Sequence, residues 1–188
     1  GATGLALGGK GGAADVITNV MRTFQADMMS AADVGDIMTK ATLRSNMNMA
    51  DMAASIRYAS ADVTNLGYSL QEASAMIGTL GNMGIQGSMA GTALANMARY
   101  LSKSVSDPAY KGHQALESLG LTSADLTDAH GNLLAIDTIL EKIRNATQGM
   151  TSVEKSNIYT QIFGVRGNRA ATALTRDLEG YRNLLKEV

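Results

Sequence analysis

The chain has 188 residues, of which 45% are hydrophobic, 18% are charged and only 4% are aromatic, and its formal net charge is −1. There are enough apolar residues for a core, which excludes a disordered chain, and the mixture of 16 basic and 17 acidic residues argues against a sequence-specific nucleic-acid-binding protein. The absence of cysteine excludes a disulfide framework, and no apolar run reaches the roughly 18 residues of a membrane span. The sequence does not begin with Met, and we expect it to be an excerpt of a longer chain.

The first half of the chain reads as a series of capped helices. Residues 1–12 contain six glycines and predict a flexible lead-in, and helical periodicity begins at Ala13. Three later helix starts are marked by a capping side chain followed three residues on by an acid. These pairs are Ser30 with Asp33, Asn48 with Asp51, and Ser69 with Glu72. Gly81 and Gly84 then predict the left-handed end of the helix that Ser69 opens.

The second half contains one interruption. Asp107 followed by Pro108 predicts a helix start, because a proline at the first helical position loses no hydrogen bond. Residues 121–135 carry turn residues between leucines and predict a small β-hairpin. Beyond them, apolar stripes at helical spacing predict further helices, one opened by a capping box of Thr151 and Glu154 and the last running from about Asn168 to the end.

The apolar residues at helical spacing predict an all-α fold, and the frequent helix ends predict that its helices are short. A continuous helix of this length would be a rod of roughly 280 Å. We expect instead a compact bundle of short helices, in which residues 13–188 form a single helical domain that can be divided into two pseudo-repeated halves, 13–104 and 105–188.

An eleven-residue stretch occurs twice, eighty positions apart. Residues 84–94 read Gly-Ile-Gln-Gly-Ser-Met-Ala-Gly-Thr-Ala-Leu, and residues 164–174 match them at six positions. Each copy follows a helix with a capping box, so the repeated unit is predicted to be helix, Gly corner, helix. Small side chains let helix backbones approach closely; an intramolecular helix crossing is favoured, and an oligomer contact remains open. The predicted packing positions are Gly84, Gly87, Ala90, Gly91, Gly164, Gly167 and Ala170.

Candidate chemistry is weak. Gly4, Gly9 and Lys10 match the spacing of a phosphate-binding P-loop, but Gly11 stands where a Ser or Thr would hold Mg²⁺, and no strand precedes the motif. The capping boxes explain the acids at their third positions without a catalytic role.

The remaining polar residues are explained by local structure. The two histidines, His113 and His130, are far apart in a chain without cysteine and make a poor metal site, and we expect His113 on a polar side of its helix. Asp128 and Asn132 fit a turn better than a calcium loop. We therefore predict no catalytic residue, cofactor or metal, and we expect a structural protein and not an enzyme.

Several motifs resemble the core region of phage tail tape measure proteins. The most specific stretch is 68–94, which contains the first copy of the repeat. Similar motifs follow in the same order along nearly the whole chain. They lie at Thr3–Leu7, Ala14–Ile17, Pro108, Ala115–Gly120, Asp128–Asn132, Ile139–Leu140 and Ile162–Gly167.

The resemblance implies a structural virion protein of a phage or prophage. Members of that family occupy the tail lumen in several copies, and their length sets tail length during assembly; some take part in genome ejection. The partners implied are other copies of the chain, tail tube and tail tip proteins, and tail assembly chaperones, with the protein in the virion tail lumen or tip and in the host cytoplasm during assembly. The main rival is a helical membrane-active or translocation module of a phage-derived injection particle.

Overall fold

The computed structural model describes residues 12–24 and 29–188. The predicted lead-in up to residue 11, with its P-loop-like spacing, lies outside these residues. The described part is helical, and the predicted all-α class is confirmed. Its helices are α1 (Ala13–Thr23), α2 (Ala31–Leu43), α3 (Met49–Asn65), α4 (Leu70–Asn82), α5 (Gly87–Ser106), α6 (Lys111–Ser118), α7 (Ser123–Leu126), α8 (Ile136–Ala146), α9 (Ser152–Phe163), α10 (Val165–Arg176) and α11 (Leu178–Glu187).

The predicted capping residues open their helices. Ser30, Ser69 and Thr151 accept hydrogen bonds from the backbone N–H three residues on. In each case the carboxylate at that later position accepts a hydrogen bond from the backbone N–H of the capping residue. Asn48 caps α3 with a single bond, in which its side-chain oxygen accepts from the backbone N–H of Asp51 at 2.8 Å. Each bond satisfies a backbone donor that the helix itself leaves unpaired.

One predicted helix start is wrong, and one predicted helix end is right at only one of its two glycines. Asp107 ends α5 instead of opening a helix, and its carboxylate accepts from the N–H of Ala109 at 3.0 Å, which holds Pro108 in a turn before α6 begins at Lys111. Gly81 is buried inside α4, and only Gly84 takes the left-handed conformation after it. Local turn bonding and burial overrode the sequence signals.

The predicted β-hairpin at 121–135 is also wrong. Thr122 and Asp125 form a capping box, so the first half of this segment becomes the short helix α7. Only a single antiparallel bridge remains, between Thr127 and Leu133. The turn between them is closed by the N–H of Asp128, which donates to the Asn132 carbonyl at 2.8 Å.

The predicted last helix is two helices. It starts at Val165 and breaks at Asp177, whose carboxylate caps α11 by accepting from the N–H of Gly180 at 3.0 Å. The break lets α11 turn back onto α4 and α8.

The longest described helix, α5, lies at the centre of the fold. It packs against α3, α10, α6 and α9. Helix α4 packs against α11, α2 and α3. The buried apolar side chains of the described part form one cluster that extends from Val20 to Leu184, with Met52, Met76 and Met97 among its fully buried members. Helices of both predicted halves contribute to this core. No described helix combines the length and the apolarity that crossing a membrane would require.

Candidate functional site

The two Gly corners turn the chain in different ways. Residues 83–86 link α4 to α5, with φ values of +83° at Gly84 and +60° at Gly87. Gly164 alone links α9 to α10, with a φ of +76°. Such φ values cost little only for glycine. The same residue pattern therefore makes a link of four residues in the first copy and a link of one residue in the second.

Three glycines of the repeat lie at very close contacts, two of them against the backbone of another helix and one against an aromatic ring. A Cβ atom at Gly91 would lie 2.5 Å from the Ser55 carbonyl oxygen on α3, and one at Gly167 would lie 2.6 Å from the Met97 nitrogen on α5. A Cβ at Gly164 would meet the ring of Tyr100 at 2.5 Å. All three distances are shorter than an ordinary van der Waals contact. Helix α5 can therefore pack this closely against α3, and α10 against α5, only because glycine has no side chain at these positions.

The other predicted packing positions have different environments. Ala90 and Ala170 are fully buried. Gly87 lies beside α3: its carbonyl accepts a hydrogen bond from the Ser55 hydroxyl at 2.6 Å, and an added Cβ would lie 3.1 Å from the Asp51 carboxylate. Nothing lies within 4 Å of a Cβ added at Gly84, so that position requires glycine for its φ alone.

The two copies differ mainly where the second helix of each unit faces solvent. Their shared apolar positions, such as Leu94 and Leu174, are buried. Gln86 and Met89 of the first copy correspond to Arg166 and Arg169 of the second. This difference between the two copies is the one signal in the sequence that indicates such a surface.

A groove runs between α5 and α10 on that solvent face. One part is a cavity of about 370 Å³ lined by residues that include Met89, Val165, Arg166 and Arg169. It continues past Arg169 into a second cavity of about 310 Å³, whose lining includes Met83 and Arg176. We call this surface the basic groove and define it by Met83, Met89, Val165, Arg166, Arg169 and Arg176.

A larger cavity of about 640 Å³ adjoins the second one and shares the lining residues Asn168, Thr172 and Arg176 with it. It brings together Arg144 of α8, Lys155 of α9 and Arg176 of α10 with several hydroxyl groups. Burial raises the pKa of the Tyr159 phenol in its wall. None of the described carboxylates lines this cavity. The arrangement can attract an anion but offers no nucleophile paired with a base.

The histidines and the turn acids have structural partners. His113 is half-buried, contrary to the predicted polar side, with Nδ1 at 2.9 Å from the Ser104 carbonyl oxygen and Nε2 at 3.3 Å from a Glu117 oxygen. His130 is exposed in the turn. The backbone N–H of Asn132 donates to the Asp128 carboxylate, which lowers the pKa of that carboxyl. Within 12–24 and 29–188, no three His, Cys, Asp or Glu residues form a group that could hold a metal ion.

Comparison with known proteins gives a consistent family assignment. A family model described as "Phage-related minor tail protein" matches residues 2–164. A "Tape measure protein" of Pneumococcus phage Dp-1 is 27% identical over 150 residues, which is 80% of this chain and 12% of that protein. A "Probable tape measure protein" of Escherichia phage P2 is 27% identical over 163 residues, which is 86% of this chain and 19% of that protein.

The chain thus spans less than a fifth of the length of these relatives. No solved structure matches it. The family match covers most of the chain, from before α1 to the second Gly corner. The chain therefore belongs to the phage-related minor tail protein family and has a structural role in a phage tail.

Proposed function

We propose that this chain is a folded, partner-contacting segment of a tail tape measure protein and not part of its measuring rod. The observation that carries the proposal is the short length of the helices. The longest described helix, α5, has 20 residues and spans about 30 Å. Close helix crossings at Gly91 and Gly167 pack this helix against α3 and α10. An extended rod would not make such contacts.

The segment acts within a longer chain that takes part in tail assembly and in the determination of tail length. The names of the two relatives support this role, and the small share of each relative that the chain covers leaves most of the length of such a protein for the ruler itself. In this proposal, the segment contacts other tail proteins, such as the tail tube, the tail tip and assembly chaperones, or other copies of itself. A role in genome ejection belongs to the same proposal.

A pair of deletions in the phage tests the proposal. Removal of residues 13–188 from the parent protein is compared with an in-frame deletion of equal length elsewhere in its helical part, and tails are measured by electron microscopy. The second deletion shortens tails in proportion to the residues lost, whereas the first gives few or disordered tails. Intact tails that are shortened only in proportion to the first deletion contradict the proposal.

A substitution that leaves chain length unchanged sharpens the test. Gly91→Val combined with Gly167→Val places side chains into backbone contacts and disrupts the fold without removing a residue. A rod keeps its length under this change, so a ruler segment predicts normal tails. A folded segment predicts loss of assembled tails, with Gly35→Ala as a control because a Cβ there meets only Ile17 at 3.6 Å.

A further inference from the structure

We propose that the basic groove binds an acidic amphipathic helix of a protein partner. This inference rests on the proposed function, since it assigns the surface by which the segment contacts another protein and the chemistry of that partner. Charge, exposed apolar side chains and the shape of the groove each support it.

The basic groove carries an excess of positive charge, although the net charge of the whole chain is only −1. The guanidinium groups of Arg166, Arg169 and Arg176 are exposed, and none forms an ion pair with any carboxylate of the described residues. Other arginines are paired: Arg182, for example, contacts Asp137 at 2.8 Å. Unpaired arginines on one face favour a partner that brings carboxylates, which arginine can bind in a bidentate manner.

Exposed apolar side chains accompany these charges. Six large hydrophobic side chains are exposed in the described part of the chain, and three of them lie in the groove. Met83 is 40% exposed, Met89 52% and Val165 80%. A binding site for phosphate backbones alone would need only the cations, so the apolar residues favour a protein partner over nucleic acid. Methionine suits such a site because its flexible side chain adapts to the surface that it contacts.

The groove is long enough to hold a short helix. The 12 residues of α10 span about 18 Å, which corresponds to roughly three turns of a partner helix lying alongside. Arg166, Arg169 and Arg176 lie within about 80° of one another around the α10 axis, so they form one border of the groove. Met89 and Val165 line the same cavity as the first two arginines. A partner helix can therefore place an apolar stripe on Met89 and Val165 and carboxylates beside the arginines.

The same charge argues against a symmetric contact between two copies of the chain. In a two-fold contact the same patch faces itself, and the three unpaired arginines would then face three more. Repulsion of this kind disfavours the pairing, so the groove requires a different, acidic surface.

Fluorescence anisotropy with defined probes tests the inference on the 188-residue chain. The main probe is a labelled peptide of about 18 residues, with leucines at helical spacing on one face and glutamates on both flanks. The second probe has the same composition with the leucines scattered around the helix, and the third is a short duplex DNA. The chain is expected to bind the first peptide at least about tenfold more tightly than either other probe.

Variants of the chain locate the binding surface. Arg166→Glu with Arg169→Glu is expected to weaken binding of the first peptide at least about tenfold, and Met89→Ser with Val165→Ser by a similar factor. Arg57→Glu with Lys186→Glu makes the same charge change away from the groove and is expected to leave the affinity within about twofold. Circular dichroism establishes that each variant keeps its helical content.

Four outcomes overturn the inference. These are no detectable binding of the amphipathic peptide, binding of the scattered peptide that is equally tight, binding of duplex DNA that is as tight or tighter, and groove variants that weaken binding no more than the control pair does. None of these outcomes changes the result expected from the tail deletion experiment. A failure of the groove to bind the peptide can therefore be distinguished from a failure of the proposed function.

Discussion

Replacement of Gly167 by alanine probes the crossing of α5 and α10 directly. The added Cβ would lie 2.6 Å from the nitrogen and 2.8 Å from the Cα of Met97. An ordinary carbon contact is about 3.5 Å or longer, so the two helices must separate by about 1 Å. The obstacle is backbone, and no side chain can rotate aside to relieve it.

The cost follows from this geometry. Overpacking of a core costs up to about 3 kcal/mol, and the absence of a flexible neighbour places Gly167→Ala at the upper end of that range. Alanine recovers about 1 kcal/mol because it favours the helix more than glycine does. The free energy of unfolding is therefore expected to fall by about 2 kcal/mol, and for a chain of this size the melting temperature by about 4–8 °C.

Thermal and urea unfolding followed by circular dichroism measure this change. Gly35→Ala is the matched control, because Gly35 lies in α2 and a Cβ there meets only the Ile17 side chain at an ordinary 3.6 Å. The control is expected to gain up to about 1 kcal/mol of stability. Equal stability of Gly167→Ala and Gly35→Ala would show that the backbones of α5 and α10 do not approach this closely at Gly167.

Three further predictions concern hydrogen bonds. Ser104→Ala removes a buried hydroxyl that donates at 2.7 Å to an α9 carbonyl, and urea unfolding should show a loss of about 1–2 kcal/mol, whereas Ser106→Ala, on the exposed side, should show little change. Ser69→Ala removes the N-cap of α4 and should lower stability in the same assay by about 1 kcal/mol. The Asp128 carboxyl should titrate by NMR below the ordinary aspartate value of about 3.9, because the N–H of Asn132 donates to it. Its contribution to stability is complete above that ordinary value and disappears as the pH falls through the lower folded pKa.

Each of these predictions has its own contrary result. Equal stability of the Ser104→Ala and Ser106→Ala variants would show that the buried bond between α5 and α9 contributes nothing. An unchanged unfolding midpoint for Ser69→Ala would mean that the capping box is dispensable. An ordinary or raised Asp128 pKa, or a pH dependence of stability that persists unaltered in Asp128→Asn, would contradict the described turn.

Local signals in the sequence predicted most of the helix starts. Capping at Ser30, Ser69 and Thr151 depends only on residues three apart, and such bonds form wherever a helix begins. The same locality explains the failure at Asp107, since an aspartate before proline can cap a helix or close a turn with equal ease. Which of the two occurs depends on where α5 ends, and tertiary packing decides that.

Other features depended on distant contacts. Small residues at Gly91 and Gly167 indicated close helix approach, but the sequence did not reveal that one would meet α3 and the other α5. The hairpin prediction failed because Thr122 and Asp125 form a capping box, which makes the start of this turn-rich segment helical. The basic groove was not predicted because its arginines come from α10 and its methionines from the first copy of the repeat and the corner before it, and the two meet only in the folded chain.

Small-angle X-ray scattering of the purified 188-residue chain shows directly whether these short helices fold back on one another. A compact protein of this length has a radius of gyration of about 16 Å. A continuous helix of roughly 280 Å would have one of about 80 Å. We predict a value below about 20 Å with high helical content by circular dichroism; a value several times larger, at the same helical content, would contradict the account.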